Sequence, residues 1–178
     1  IQEMYPAALK EKGLAATLRE YLYEWEARND IRVDFQVENP RRVPLNVEQA
    51  IYRVTQEALA NVARHSQARG VEVALGYYAG QVTVRIHDDG RGFDPQTRPA
   101  GIGLRSMRER VNMIGGTLKI DSRPGQGTVL FAWAPLMPPN GGMPPDGGMP
   151  PDQEDAPEPP VEVETTSRPA NLEERTEP

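Results

Sequence analysis

The chain predicts an α+β fold, a two-layer sandwich whose mixed five-stranded sheet carries about three helices on one face and is followed by a disordered tail. Three observations lead there. Five short runs have strand character, several of them alternating apolar with polar residues, while three longer stretches repeat apolar residues at helical steps. Two pairs of strand runs are each joined by a turn containing glycine, as in antiparallel hairpins. A helical crossover coexists with these hairpins, which makes the sheet mixed and places the helices together.

Taken in order, residues 1–13 show no clear periodicity before Gly13. Leu14, Leu18, Leu22 and Trp25 then recur at three- and four-residue steps and predict a helix to about Asn29. Ile31, Val33, Phe35 and Val37 alternate with polar residues as a strand, and Pro40 and Pro44 punctuate a loop. Asn46 is the expected N-cap of a long helix reaching about His65, with Ile51, Val54, Ala58 and Val62 on its buried stripe. Val71–Tyr77 and Val82–His87 read as strands joined by a hairpin at Ala79-Gly80. A glycine-rich loop spans Asp89 to Gly103, and a helix from Leu104 to about Ile114 stops at Gly115-Gly116. Thr117–Asp121 and Thr128–Ala134 are the last strands, separated by a turn from Arg123 to Gly127.

Composition divides the chain at Leu136. Residues 137–178 contain ten acidic residues against two arginines and eleven of the 18 prolines, with Met-Pro-Pro-Asn/Asp-Gly-Gly beginning at Met137 and Met143. Such a stretch buries too little apolar surface to offset its ordering entropy and is expected to be disordered. The formal charge of -6 belongs to this tail; the remainder is close to neutral and says little about partners. There is no cysteine, hence no disulfide framework or thiolate site. No apolar run approaches the roughly 20 residues of a membrane span. A start at Ile1 suggests a fragment or a processed chain.

Two constellations carry chemistry. Asp88-Asp89-Gly90-Arg91-Gly92-Phe93-Asp94 ends an alternating run, and Gly101-Ile102-Gly103-Leu104 opens a helix. A carboxylate at a strand end can accept from a nucleobase, while glycines and a helix N-terminus admit phosphates to the backbone; the same residues also suit a plain surface turn. On the long helix, Glu57, Asn61 and His65 stand at i, i+4 and i+8 and share a face. Glu57 and Asn61 offer hard oxygen donors suited to Mg²⁺, with Arg64 beside them able to meet a phosphate; a solvated helix face is the competing interpretation. The Gly-x-x-x-x-Gly-Lys-Ser/Thr pattern is missing, which excludes a P-loop. Ser106 stands where a dinucleotide fingerprint needs its third glycine, and Asp88–Asp94 lacks the alternating ligands of an EF-hand.

These stretches resemble a known family. Glu57-Ala58-Leu59-Ala60-Asn61-Val62-Ala63-Arg64-His65-Ser66 is similar to the N box of sensor histidine kinases. Asp88 to Phe93 resembles their first glycine box, Gly101 to Arg110 the second, and Gly125-Gln126-Gly127-Thr128-Val129 the closing glycine–threonine strand. The run Gly103-Leu104-Arg105-x-Met107-x-Glu109-Arg110 and a short lid over residues 93–103 most resemble kinases of the nitrate-sensor type, which pair with LuxR-like response regulators. The likeness covers about residues 6–136 and includes Gly13-Leu14.

The resemblance implies a Bergerat-type ATP-binding fold over residues 14–136, preceded by the end of a linker (1–13) from a dimerisation region. It implies that Asp88 accepts from the adenine amino group with support from Thr128. Asn61 would hold Mg²⁺, with Glu57 orienting metal-bound water. Gly90 and Gly92 would leave room for nucleotide, Gly101 and Gly103 would hinge the lid, and the helix opening at Leu104 would face the phosphates. Arg64 stands where the family usually has lysine, keeping the charge but changing its geometry. The family phosphorylates a histidine on a dimerisation hairpin, and neither His65 nor His87 lies in such a motif. The expected partners are therefore a histidine-bearing dimerisation domain and a response regulator, in the cytoplasm, with no nucleic-acid or membrane contact by this stretch and homodimerisation only in the full-length protein. Two alternatives are a protein-serine kinase of the anti-sigma-factor type and a non-catalytic ATP-responsive module.

Overall fold

The computed structural model describes residues 7–95 and 101–136. The tail expected from residue 137 onward and the middle of the expected lid lie outside the described residues. In chain order the elements are α1 (Ala7–Lys12), α2 (Leu14–Asn29), β1 (Arg32–Glu38), α3 (Leu45–Asn61), a π-helical turn (Val62–Ser66), β2 (Gly70–Tyr78), β3 (Gln81–Asp88), α4 (Ile102–Met113), β4 (Thr117–Ser122) and β5 (Thr128–Pro135). The five strands form one mixed sheet in the order β1-β2-β3-β5-β4. Only β1 and β2 pair in parallel, joined by the α3 crossover, while β2–β3, β3–β5 and β4–β5 are antiparallel. This is the expected fold class.

Strand alternation explains the two layers. Val71, Val73, Leu75 and Tyr77 of β2 share a buried face with Val82, Val84 and Ile86 of β3 and with Leu130, Ala132 and Ala134 of β5. Leu18 and Leu22 of α2, Ile51, Val54 and Leu59 of α3 and Met107 and Val111 of α4 join the same core. Each such fully buried side chain stabilises the fold by roughly 1.5–3 kcal/mol before entropy is counted. Tyr21 of α2 and Tyr52 of α3 meet edge to face with centroids 5.8 Å apart, and the Arg19 guanidinium lies 5.5 Å from the centre of the Phe35 ring.

Three local features depart from expectation. Residues 7–12 form a helix whose Leu9 is fully buried. It is fastened by Arg42, whose guanidinium donates to the carbonyls of Leu9, Lys10 and Glu11 and pairs through Nε with the buried Glu48 carboxylate at 3.2 Å. Asn46 is not an N-cap: α3 begins at Leu45, and the Pro44 carbonyl accepts from the N–H groups of Val47 and Glu48. Proline's fixed φ sets the first turn there without a side-chain cap. Finally, the α-helical part of the long helix ends at Asn61, four residues short of His65. Ser66 Oγ donates back to the Val62 carbonyl at 2.8 Å, and Gln67 turns left-handed at φ 57°, so the last turn widens.

Candidate nucleotide-binding site

A cavity of about 250 Å³ opens between α3, the π-helical turn, the Asp88–Phe93 loop, α4 and the ends of β4 and β5. Its apolar wall includes Ala58, Val62, Ile86, Met107, Ile120 and Leu130, and its polar groups include Asn61, His65, Asp88 and Thr128. Gly92, Gly101 and Gly103 border it with main chain.

Asp88 is the last residue of β3 and only 4% exposed. Its Oδ1 accepts from the Gly90 N–H at 3.0 Å. Burial pushes its carboxyl above the usual carboxylate range, opposed by that hydrogen bond, by His87 and by the Thr128 hydroxyl. Asp88 pairs in register with Thr128 of β5, and Thr128 pairs with Ser122 of β4, so three polar residues stand abreast at one end of the sheet. Asp89 faces elsewhere. Its Oδ1 accepts from the N–H groups of Gly70 and Arg69, at 3.0 and 2.8 Å, and these bonds hold its carboxyl below the usual range.

The glycine loop is held by protein contacts. A Cβ at Gly90 would press against the Ser66 carbonyl and the Asp88 carboxylate, and one at Gly92, where φ is +58°, would overlap the Arg123 carbonyl. Arg91 ties the loop to the π-helical turn: its N–H donates to the Ser66 carbonyl at 2.7 Å and its Nε to the His65 carbonyl at 2.8 Å. Its own carbonyl accepts from Gly125 N–H at 2.6 Å.

Of the residues expected at the site, the structure brings Asn61, Asp88, Gly92, Gly101, Gly103, Leu104 and Thr128 to one cavity. Gly90 packs behind it. Glu57 lies in an adjoining polar cleft with Arg53, Gln56, Ala60, Ser106, Met107 and Arg110, its carboxylate against Gly103. Arg64 is exposed on the π-helical turn and does not line the cavity. Sequence reasoning passed over Arg91 as a tether and missed Ser122 altogether. The available signal for Ser122 was its parity: it follows Leu118 and Ile120 on the core-facing side of β4, where a polar residue needs a partner.

Residues 46–138, over half of the chain, match the family of histidine kinase-, DNA gyrase B-, and HSP90-like ATPases. The chain belongs to this family. Among curated relatives of this ATPase-type domain, it is 38% identical over 138 residues to the signal transduction histidine-protein kinase/phosphatase DegS of Brevibacillus brevis, spanning 76% of this chain and 36% of that protein. It is 36% identical over 138 residues to the sensor histidine kinase LiaS of Bacillus subtilis (strain 168), spanning 77% and 38%. The chain thus covers little more than a third of these relatives. Among solved structures, the kinase domain of a blue-light activated histidine kinase from Erythrobacter litoralis superposes with a TM-score of 0.57 at 24% identity, covering 69% of this chain and 61% of that one. The mycobacterial sensor histidine kinase MprB gives 0.52 at 23% identity, covering 69% and 94%. At such identities the likeness concerns the fold, which is the Bergerat-like one of histidine kinase ATPase domains. No helix among the described residues is long and apolar enough to cross a membrane.

Proposed function

We propose that this chain is the ATP-binding catalytic domain of a sensor histidine kinase, donating the γ-phosphoryl group of ATP to a histidine supplied by a dimerisation domain, for relay to a response regulator. The observation that carries this is Asp88, a carboxylate almost wholly buried in a cavity wall, with one backbone donor and a threonine hydroxyl for company. Its remaining lone pairs suit the exocyclic amino group of adenine. The cavity leads from there to Gly101–Leu104, where α4 begins and its N–H groups and dipole favour phosphate.

The donor set fits Mg²⁺ as well as ATP. The Asn61 carboxamide lines the cavity and Glu57 lies one helical turn before it, both hard oxygen donors. Mg²⁺, when bound, supplies charge neutralisation at the phosphates. In this reading Asn61 would hold the ion and Glu57, from the adjoining cleft, would orient its water; Gly101 and Gly103 would let the lid move, and Arg64, exposed on the π-helical turn outside the cavity, would add positive charge nearby. The Gly103–Arg110 run supports the nitrate-sensor-like subfamily and a LuxR-type regulator as partner.

Titration of the chain with ATP, with and without Mg²⁺, beside Asp88→Asn tests the pocket: saturable binding that the substitution weakens is expected. Transfer is tested by adding a histidine-bearing hairpin domain, where acid-labile phosphohistidine should appear and Asn61→Asp should reduce it. Equal ATP affinity in parent and Asp88→Asn overturns the role of Asp88, and normal transfer by Asn61→Asp overturns that of Asn61.

A further inference from the structure

Behind the cavity wall, Ser122 is 5% exposed, and its side-chain oxygen is engaged on three sides. It accepts from the Phe93 N–H at 2.9 Å, donates to the Gly127 carbonyl at 2.9 Å, and lies 3.0 Å from Thr128 Oγ1. It does not line the cavity; Phe93 and Thr128 do. We infer that Ser122 is a positioning residue for base recognition, holding the Thr128 hydroxyl beside Asp88 and tying it to the loop at Phe93.

The argument is one of inventory. A serine hydroxyl has one proton and two lone pairs. Phe93 fills one lone pair, and the proton goes to one acceptor at a time, the Gly127 carbonyl or Thr128 Oγ1. With the Ser122 proton on the Gly127 carbonyl, Thr128 donates to the free Ser122 lone pair; with it on Thr128 Oγ1, the single Thr128 proton is released to one acceptor, the Asp88 carboxylate or a group in the cavity. Strand register enforces the same arrangement, because Ser122, Thr128 and Asp88 are consecutive partners across β4, β5 and β3. The chemical consequence is a paired reader: a carboxylate that only accepts beside a hydroxyl whose one proton turns from Asp88 to the bound base while Ser122 donates to it. Such a pair complements a purine edge with an amino group next to an unprotonated ring nitrogen, as in adenine. It mismatches the oxo group and protonated ring nitrogen of hypoxanthine. The same hydroxyl holds the Phe93 N–H, so the loop that follows Asp88 is fastened to the group that fastens Thr128.

This inference rests on the nucleotide reading above and deepens it. The test is a pair of affinities, for ATP and for inosine triphosphate, measured by calorimetry on the 178-residue chain and on Ser122→Ala and Ser122→Thr. In Ser122→Ala the preference for ATP over inosine triphosphate is expected to shrink about five- to tenfold, the value of one hydrogen bond, while Ser122→Thr, which keeps the hydroxyl, retains it. The ratio is taken within one variant, so a partly unfolded sample does not alter it. A merely structural role would weaken both nucleotides equally; an unchanged ratio in Ser122→Ala overturns the inference and leaves the pocket standing. A parent chain that binds neither nucleotide overturns the pocket as well.

Discussion

Asp88 and Asp89 are adjacent in the chain and opposite in role: the carboxylate of Asp88 is enclosed in the cavity wall, and that of Asp89 clamps the start of β2 from outside. Their pKa shifts have opposite signs for that reason, up through desolvation and down through the Gly70 and Arg69 N–H groups.

Asp88→Asn is expected to separate stability from binding. A carboxyl whose folded pKa is raised favours the fold below the unfolded value of 3.8, and that contribution is lost as pH rises through the folded value. At pH 7 the charged, desolvated group therefore opposes folding, whereas a carboxamide keeps the Gly90 hydrogen bond without a charge. Thermal melts should show Asn at least as stable as Asp at pH 7, with the gap closing on acidification, while ATP affinity falls roughly ten- to a hundredfold. A variant less stable at pH 7 would contradict this account.

Asp89→Ala should do the reverse. It removes the acceptor of two backbone N–H groups at the surface, costing about 1 kcal/mol after allowance for solvent screening. Because the folded pKa of Asp89 is lowered, its contribution is present above 3.8 and lost as pH falls through the folded value. Denaturant midpoints at pH 7 and near pH 3 should differ by more in the parent than in the variant.

Gly125 and Gly127 share one turn and similar left-handed φ angles, +81° and +73°, yet a Cβ at Gly125 meets open space and one at Gly127 overlaps the Asp88 carbonyl. Gly125→Ala should cost about 1 kcal/mol, the conformational penalty alone. Gly127→Ala should cost about 3 kcal/mol, since overpacking is added. Urea midpoints of the two variants, compared side by side, isolate the steric part.

Arg42→Met should destabilise the fold by roughly 3 kcal/mol, because it leaves the fully buried Glu48 carboxylate without its cation. Adding Glu48→Gln should recover part of the loss. A double variant no better than the single would show that the cost lies in the carbonyls of α1 and not in Glu48. Chemical denaturation of both settles it.

Most of the fold was legible because strand alternation and glycine turns are local signals, and β2, β3, β4 and β5 appear within a residue or so of where they were expected. Helix α1 was not legible: Ala7–Lys12 has a single deeply buried residue, Leu9, and its fastening comes from Arg42, thirty positions away in the chain. The π-helical turn escaped because the apolar stripe through Val62 is the same for either helix; Ser66 and Arg91 decide the widening. At the site, Asp88, Thr128 and Asn61 could be named from motif and spacing. Ser122 shows in the sequence only as a polar residue of core-facing parity, and its partner Thr128 is set by strand register.

The contacts at Gly90, Gly92 and Gly127 bear on how such chains are recognised. At all three, the space that a side chain would occupy is already filled by the protein's own backbone. A descendant that ceased to use nucleotide would still have to keep these glycines or lose the fold, whereas Asp88 would need only an acceptor for the Gly90 N–H, which asparagine also supplies. The glycine boxes therefore act as a birthmark of ancestry, which persists whether or not the cavity is used.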